Sequence, residues 1–189
     1  MIRFAKLADV PAILDIYAPY VENTAISFEY TVPTLSEFTA RFEAITAQFP
    51  WLVWEEDGKI LGYAYGAAPF ERAAFSWCAE PSIYLAPAVQ RKGIGRKLYD
   101  ALEQILTRQG YRVLYAIITT DNASSIAFHK ALGYRHLADF PNCGFKHSCW
   151  HGVTWLEKPL NPPAHPVEFP TSIVKLRELY LNLTDFLDK

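Results

Sequence analysis

The segment Gln90-Arg91-Lys92-Gly93-Ile94-Gly95-Arg96 lies between a strand-like run and a long helical pattern. Glycines at the start of a helix leave backbone N–H groups free and allow a ligand to approach closely, and the flanking cations attract an anion. This segment is therefore a candidate binding site for a pyrophosphate. A P-loop needs Gly-Lys-Ser/Thr after its glycines, and a dinucleotide fingerprint needs a third glycine where Leu98 stands, so the sequence fits neither. A basic, glycine-rich turn without a ligand remains the alternative.

Strand and helix patterns alternate along the chain. We predict strands at residues 2–7, 51–54, 60–65, 80–86, 112–119, 134–139 and 150–157, and helices capped by Asp9 and by Ser36 and over residues 93–109 and 122–132. The pair Asp57-Gly58 supplies the positive φ angles that a tight hairpin needs. The order is strand, two helices, three strands, helix, strand, helix and two strands, which predicts an α/β fold with a central mixed sheet.

Composition excludes several classes of protein. The chain has 189 residues, 51% of them hydrophobic and 20% charged, which is typical of one globular domain rather than a disordered segment. The net charge of -2, without a run of lysine or arginine, argues against nucleic acid or an anionic membrane as the main partner. No stretch approaches the roughly 20 apolar residues of a membrane span. Three cysteines and an N-terminus without a signal peptide's apolar stretch predict a cytoplasmic protein with reduced thiols.

One domain is expected to end near Leu160, because residues 161–166, Asn-Pro-Pro-Ala-His-Pro, form a proline-rich linker. Beyond it, Thr171 or Ser172 can cap a helix. Its apolar stripe consists of Ile173, Leu176, Tyr180, Leu183 and Leu187. A helix of about 16 residues is marginal alone in water, so the stripe should be buried. We expect it at a homodimer interface, and docking on its own domain is the alternative.

Two motifs carry a resemblance to a known family. The turn at 90–96 after Ser82-Ile83-Tyr84-Leu85, together with residues 122–134, resembles the cofactor half of GNAT acetyltransferases. More narrowly, residues 80–85, Glu-Pro-Ser-Ile-Tyr-Leu, and residues 144–153, Gly-Phe-Lys-His-Ser-Cys-Trp-His-Gly-Val, resemble the phosphinothricin and methionine sulfoximine acetyltransferase family. The resemblance covers residues 1–160. It implies a mainly antiparallel sheet in which one parallel pair splays at the cofactor site, flanked by helices.

The resemblance also implies the cofactor, acetyl-CoA, with coenzyme A as product. The strand residues Ile83, Tyr84 and Leu85 would pair with the pantetheine amides. The pyrophosphate would be bound by Gln90, Arg91, Lys92, Gly93, Ile94, Gly95 and Arg96. Asn122 and Ser125 would reach the pantetheine arm, although Asn122 can equally be a helix N-cap.

Catalytic residues follow from the same resemblance. Amide formation needs a base that removes the proton of the substrate ammonium, and Glu80 matches the family's proposed base, acting through water. A backbone N–H of the Tyr84-Leu85 strand would stabilise the oxyanion. His129, seven residues after Asn122 on the same helical face, would serve the leaving thiolate. The alternatives are a solvated surface carboxylate for Glu80 and a packing residue for His129.

The acceptor site is implied by five residues: Phe28, Arg72, Phe75, Tyr84 and Val153. Arg72 would pair with the acidic group of an amino-acid-like amine, and the others would form the pocket walls. Phe70 and Phe75 depart from the family, which tends to have lysine and tyrosine there, so a less anionic acceptor than phosphinothricin is expected.

Methionine sulfoximine, methionine sulfone and phosphinothricin are the expected small-molecule acceptors. A polyamine, an aminoglycoside, a protein N-terminus or a non-catalytic acyl-CoA sensor remain alternatives. His147, Cys149 and His151 alternate near Cys143, which suggests zinc, but ligands at alternating strand positions lie roughly 6.5 Å apart, so we expect no metal site.

Overall fold

The predicted order of strands and helices is confirmed in a computed structural model, which describes residues 1–162 and 167–178. Seven strands form one sheet in the order β1-β2-β3-β4-β5-β7-β6. The strands are β1 (Ile2–Phe4), β2 (Trp51–Glu56), β3 (Lys59–Ala67), β4 (Cys78–Leu85), β5 (Val113–Thr119), β6 (Arg135–Lys146) and β7 (Cys149–Pro159). The helices are α1 (Val10–Asn23), α2 (Leu35–Thr46), α3 (Ile94–Gln109), α4 (Ala123–Ala131) and α5 (Ile173–Glu178). Neighbouring strands are antiparallel except β4 and β5, which run parallel.

Element boundaries differ from the prediction, most notably at the start of α2 and at the turn between β6 and β7. α2 is capped by Thr34 rather than Ser36, because the Thr34 hydroxyl accepts from the Glu37 N–H while the Glu37 carboxylate accepts from the Thr34 N–H. This reciprocal pair satisfies two helix-end donors. β6 and β7 also extend to a two-residue turn in which His147 and Ser148 have φ angles of 50° and 60°. Such a turn usually contains glycine or asparagine, so sequence reasoning placed a loop there.

Helices cover the two faces of the sheet differently. α3 packs Leu98, Leu102 and Ile105 on one face, against buried residues of β4, β5 and β7. α1 and α2 pack on the other face, over β2 and β3, where Trp51 and Tyr63 are buried. On that second face no described helix covers β5, β7 and β6, so aromatic side chains there remain partly exposed, namely Tyr115, Trp155 and Phe140. This face is therefore available for a ligand or a partner.

The described part of the tail packs on its own domain. Ile173 and Leu176 are 3% and 8% exposed and belong to the core on the α3 side. The buried Gln109 side chain donates to the carbonyls of Gln48 and Thr171, both at 2.8 Å, which fixes the approach of the tail. The expected interface role therefore does not apply to these residues, whose stripe is already covered. The linker residues Pro163, Ala164, His165 and Pro166 and the predicted stripe residues Tyr180, Leu183 and Leu187 lie outside the described residues.

Among the described residues, no helix combines the length and the apolar character that crossing a bilayer requires.

Candidate functional site

The site begins where β4 and β5 separate. The two strands pair in parallel at Cys78 with Val113 and at Ala79 with Leu114, and then diverge. A cavity of about 350 Å³ occupies the gap, between residues 81–85 of β4 and residues 116–119 of β5. The predicted splayed parallel pair is therefore present, and it opens an internal edge of the sheet to a ligand.

The backbone of β4 supplies hydrogen-bonding groups to this cavity. The N–H of Ala86 donates to the carbonyl of Leu61 on the β3 side at 2.9 Å. Since backbone groups alternate between the two sides of a strand, the N–H groups of Ile83 and Leu85 point towards the gap. Ile83, Tyr84 and Leu85 all line the cavity. An extended ligand containing amides could complete the ladder that β5 leaves open at this point.

The glycine-rich turn lies at one end of the cavity. Arg91 and Gly93 have φ angles of 60° and 79°, and Gly93 is the N-cap of α3 without a side-chain cap bond. The first N–H groups of α3 are therefore left available for an anion. Gln90, Arg91 and Gly95 line the cavity.

The remaining residues of the turn lie elsewhere. Lys92, Gly93 and Arg96 are exposed and lie outside the cavity lining, and the Arg96 side chain is 3.8 Å from Asp100. Ile94 is buried in the core, so it could contribute its backbone but not its side chain. Of the seven turn residues, Gln90, Arg91 and Gly95 therefore face the cavity, and the other four form the turn around it.

α4 contributes two predicted residues. The Asn122 side chain accepts from the N–H of Ser125 at 3.1 Å, which makes it the N-cap of the helix. Asn122 and Ser125 both line the cavity. The two interpretations of Asn122, as a cap and as a cavity residue, are therefore compatible in this fold.

His129 is buried beneath the cavity with both ring nitrogens engaged. Its Nδ1 lies 2.8 Å from the Ser125 carbonyl, and its Nε2 lies 2.9 Å from the hydroxyl of Tyr99. A carbonyl oxygen can only accept, so Nδ1 carries the proton and Nε2 accepts from Tyr99. Burial lowers the pKa of His129 below its ordinary value, which favours this neutral form. His129 is therefore a buried residue that lines the cavity and is fixed by hydrogen bonds at both ring nitrogens.

Tyr99 is a site residue that sequence reasoning missed. It is fully buried, lines the cavity, and contacts the carbonyl of Pro81 at 3.3 Å as well as His129. Its place in the sequence offered one signal, because Tyr99 follows Gly95 by four residues and so lies on the same face of α3. Its aromatic character was indistinguishable from that of a core residue until the partners were known.

Glu80 lies on β4, on the face that carries Ser82 and Tyr84. It pairs in register with Ala67 of β3. Burial disfavours the ionised carboxyl and raises the pKa of Glu80 to about 7. No described side chain donates a hydrogen bond that offsets this effect. A carboxyl group with a pKa near neutrality can accept and release a proton at physiological pH.

The predicted acceptor residues are less tightly gathered. Tyr84 lines the cavity and packs against Tyr20 at 5.2 Å between ring centroids. Val153 pairs with Thr119, which lies at the cavity edge. Arg72 is exposed and precedes a 3-10 turn, Ala73–Phe75.

The aromatic acceptor residues lie near the open face of the sheet. Phe75 is 43% exposed and its ring lies 4.5 Å from that of Phe70. Phe28 is 36% exposed and packs on Gly144. By strand alternation, Glu80, Tyr84 and Val153 share the sheet face that α3 does not cover. Phe28, Arg72 and Phe75 thus lie outside the cavity lining, partly open to solvent.

The alternating histidines and cysteines do not converge. His151 binds Asp121 and the Lys146 carbonyl, and His147 lies 3.3 Å from the carbonyl of Thr24. Within residues 1–162 and 167–178, no group of three or more His, Cys, Asp or Glu side chains is arranged to hold a metal ion.

A second, larger cavity of about 760 Å³ lies between α1 and the β2–β3 turn. Tyr20 and Gln90 separate it from the first: the Tyr20 hydroxyl donates to the Leu85 carbonyl at 2.6 Å, and Gln90 donates to Tyr20 at 3.1 Å. Its lining contains neither Asn122 nor His129, which line the smaller cavity, and Glu80 lies next to the smaller cavity's Pro81 without lining either one. The larger cavity is therefore not the candidate site. The smaller cavity is lined by His129 and Tyr99 and by the strand residues Ile83 and Leu85, whose N–H groups face it.

Comparison with known proteins agrees with this geometry. The profile of a family described as "Acetyltransferase (GNAT) domain" matches residues 2–155. A phosphinothricin N-acetyltransferase of Streptomyces viridochromogenes is 33% identical over 165 residues, covering 87% of this chain and 90% of that protein. An L-methionine sulfoximine/L-methionine sulfone acetyltransferase of Salmonella typhimurium is 36% identical, covering 87% and 97%.

A solved structure is similar over the same region. It is the crystal structure of a GNAT superfamily phosphinothricin acetyltransferase from Sinorhizobium meliloti in complex with acetyl-CoA. The two chains align with a TM-score of 0.83 and 36% identity, covering 88% of this chain and 94% of the other.

Proposed function

Because this chain belongs to the GNAT acetyltransferase family, we propose that it transfers the acetyl group of acetyl-CoA to the α-amine of a small amino-acid-like molecule. Methionine sulfoximine, methionine sulfone and phosphinothricin are the leading acceptors. The observation that carries the proposal is the cavity between the diverging β4 and β5, with a carboxyl group of pKa about 7 on the same strand.

The residues around the cavity fit acetyl-CoA. Inward-facing N–H groups of Ile83 and Leu85 suit the amides of a pantetheine arm, and the uncapped N-terminus of α3 suits a pyrophosphate. Gly95 has no side chain, and a Cβ there would lie 3.4 Å from Ile83. Gln90, Arg91, Asn122 and Ser125 complete the proposed binding surface. The lining thus combines an open strand edge, donors for an anion and space for a linear ligand.

Acetyl-CoA supplies an activated acetyl group as a thioester when it is bound. Glu80 would take the proton of the acceptor ammonium, directly or through water, because its pKa lets it be ionised near neutral pH. One of the cavity-facing N–H groups of β4 would donate to the developing negative charge on oxygen, and the other would then pair with the pantetheine arm. His129 and Tyr99 would serve the sulfur end through their shared hydrogen bond.

The choice of acceptor would depend on the neighbouring rings of Phe70 and Phe75. The rings of Phe70 and Phe75 lie 4.5 Å apart at an angle of 40° and present apolar surfaces where a cation and a hydroxyl were expected from the family. Arg72 is then the one cation among the predicted acceptor residues that could bind an acidic group. We propose that acceptors carrying one anionic group, such as methionine sulfone, are preferred over the more anionic phosphinothricin.

The proposal is tested by release of free thiol from acetyl-CoA across a panel of amines. Methionine sulfoximine and methionine sulfone should turn over faster than plain methionine, polyamines or aminoglycosides. Binding of coenzyme A without thiol release from any amine would favour an acyl-CoA sensor instead.

We further propose a cytoplasmic homodimer whose acetyltransferase domain spans residues 1–160. The three cysteines are free, which suits a reducing compartment. Phe140, Phe145 and Trp150 are 45–60% exposed along β6 and β7, and β6 is an edge strand, so this surface suits a second copy. Light scattering should give twice the chain mass, and Trp150→Ser should lower it.

A further inference from the structure

A buried lysine at the end of the edge strand β6 binds the connection between α1 and α2. We call residues 24–33 the acceptor-side loop, because they contain Phe28. Lys146, the last residue of β6, is 3% exposed. Its ammonium donates to the carbonyls of Val21 and Ser27, both at 2.6 Å. One side chain therefore joins the end of α1, the acceptor-side loop and the β6–β7 hairpin.

The charge of Lys146 is retained without an ion pair in the described part of the chain. Burial lowers the pKa of Lys146 from its ordinary value, while the nearby Glu29 opposes that change. A buried ammonium is costly unless its N–H groups are bonded, so the two carbonyls are required to keep it in place. Through these two bonds the ammonium holds the carbonyls of Val21 and Ser27 in a fixed relative position.

A second contact ties the hairpin to the cofactor side. The two ring nitrogens of His151 face Asp121 at 2.7 Å and the Lys146 carbonyl at 3.1 Å. Both partners only accept hydrogen bonds, so the protonated ring alone satisfies both. Asp121 raises the pKa of His151, and the ammonium of Lys146 opposes it. Asp121 directly precedes Asn122, the N-cap of α4, so this contact joins the hairpin to a cavity-lining helix.

Phe28 is held between these contacts. Its ring covers Gly144, where an added Cβ would come within 2.3 Å, and it lies 6.4 Å from the His151 ring. The Thr119 hydroxyl donates to the Ala25 carbonyl at 2.6 Å, which fixes the start of the same loop to the end of β5. Lys146 and Thr119 thus hold the loop from outside, in addition to bonds made by its own side chains, such as that of Ser27 with Tyr17 at 2.7 Å.

We propose that Lys146 and His151 are positioning residues that hold the acceptor-side loop, and with it Phe28, in the conformation that binds the acceptor amine. The expected effect of these residues on kinetics rests on the proposed function, because it presupposes that the protein acetylates an amine. The arrangement itself rests on the contacts of Lys146 and His151 and can be tested without turnover.

The kinetic test compares Lys146→Met with Lys158→Met in the full chain. Lys158 lies on β7 and binds Glu103 at 2.5 Å, so its replacement also removes a partly buried ammonium but leaves the acceptor-side loop intact. Lys146→Met should raise the KM for the acceptor about tenfold with little change in the KM for acetyl-CoA, as expected for bonds to a charged group. Equal effects of the two variants on both KM values would overturn the proposal.

Hydrogen exchange provides the readout that does not depend on activity. Amides of residues 24–33 should lose protection in Lys146→Met and keep it in Lys158→Met. In the wild-type protein, protection of these amides should fall as the pH rises through the pKa of His151, because one of its two bonds is then lost. His151→Gln should remove that step, and an unchanged step would refute the role of His151. If no amine releases thiol, the proposed function fails while this experiment still decides the positioning role.

Discussion

At the scale of single residues, the pKa of Glu80 depends on where the side chain lies in the fold. A glutamate at the start of a strand is ordinarily solvated, yet here burial brings its pKa to about 7. Glu80→Gln should lower kcat by roughly 100-fold or more with little change in acetyl-CoA affinity, because a general base is lost. Steady-state kinetics across pH should also show that the rise of kcat/KM through about pH 7 disappears. Retained kcat would leave Glu80 without a role as base.

The same substitution has a consequence for stability. In the folded protein the Glu80 carboxyl holds its proton up to about pH 7, compared with 4.5 for its ordinary pKa. The folded state is therefore favoured below the ordinary value, and that contribution is lost as the pH rises through 7. Glu80→Gln should abolish this loss, so its free energy of unfolding should exceed that of wild type above pH 7, by up to about 3 kcal/mol. Urea denaturation at several pH values measures the difference, which should shrink towards acidic pH.

His129 and Tyr99 should act as a pair. The neutral His129 accepts from Tyr99, so removing either partner breaks this bond, while Tyr99 keeps the Pro81 carbonyl and His129 keeps the Ser125 carbonyl within reach. His129→Phe and Tyr99→Phe should each lower kcat by less than Glu80→Gln, and the double variant should cost less than the two effects combined. A double-mutant cycle on kcat provides the measurement, and full additivity would show that the hydrogen bond has no part in the reaction.

At the scale of elements, the turn between β4 and α3 depends on backbone conformation. Gly93 has a φ of 79° with no atom within 4 Å of an added Cβ, so a side chain would be strained rather than blocked. Gly93→Val should weaken coenzyme A binding, because a β-branched residue disfavours this conformation by about 1–2 kcal/mol and would displace the first N–H groups of α3.

A matched control exists in the β2–β3 hairpin. Gly58 has a φ of 73° and equally open surroundings, but it lies between β2 and β3, whereas Gly93 is the N-cap of α3. Gly58→Val should lower stability by a similar amount and leave coenzyme A affinity unchanged in calorimetric titration. Tight binding by Gly93→Val would refute the assignment of this turn to the pyrophosphate.

At the scale of the whole molecule, the tail completes the core instead of extending from it. Leu176 is 8% exposed against the α3-side core, whereas its neighbour Val174 is 51% exposed. Leu176→Ala should lower the free energy of unfolding by about 2–5 kcal/mol, and Val174→Ala should have little effect. Thermal unfolding compares them directly. Truncation after Leu160 should reduce stability further, and equal stability of the truncated chain would contradict the docking.

Local spacing was enough to predict much of this protein. The order of elements and the turn at 90–96 follow from hydrophobic periodicity and from glycine placement, which act over a few residues. The splayed parallel pair was implied by the family resemblance. Glu80, His129 and Asn122 were identified through a family resemblance carried by short motifs. The family, the fold and the use of acetyl-CoA are in agreement with those predictions.

Contacts between residues distant in sequence decided the rest. The pKa of Glu80 depends on burial, and the tautomer of His129 depends on Tyr99 of another helix. The tail docks on its own domain because Gln48 and Gln109, far earlier in the chain, present the groups that bind it. Hydrophobic periodicity shows that the apolar stripe of a helix must be buried. Only the folded chain determines which residues bury it, because two surfaces pack together when their shapes match and their polar groups find hydrogen-bond partners.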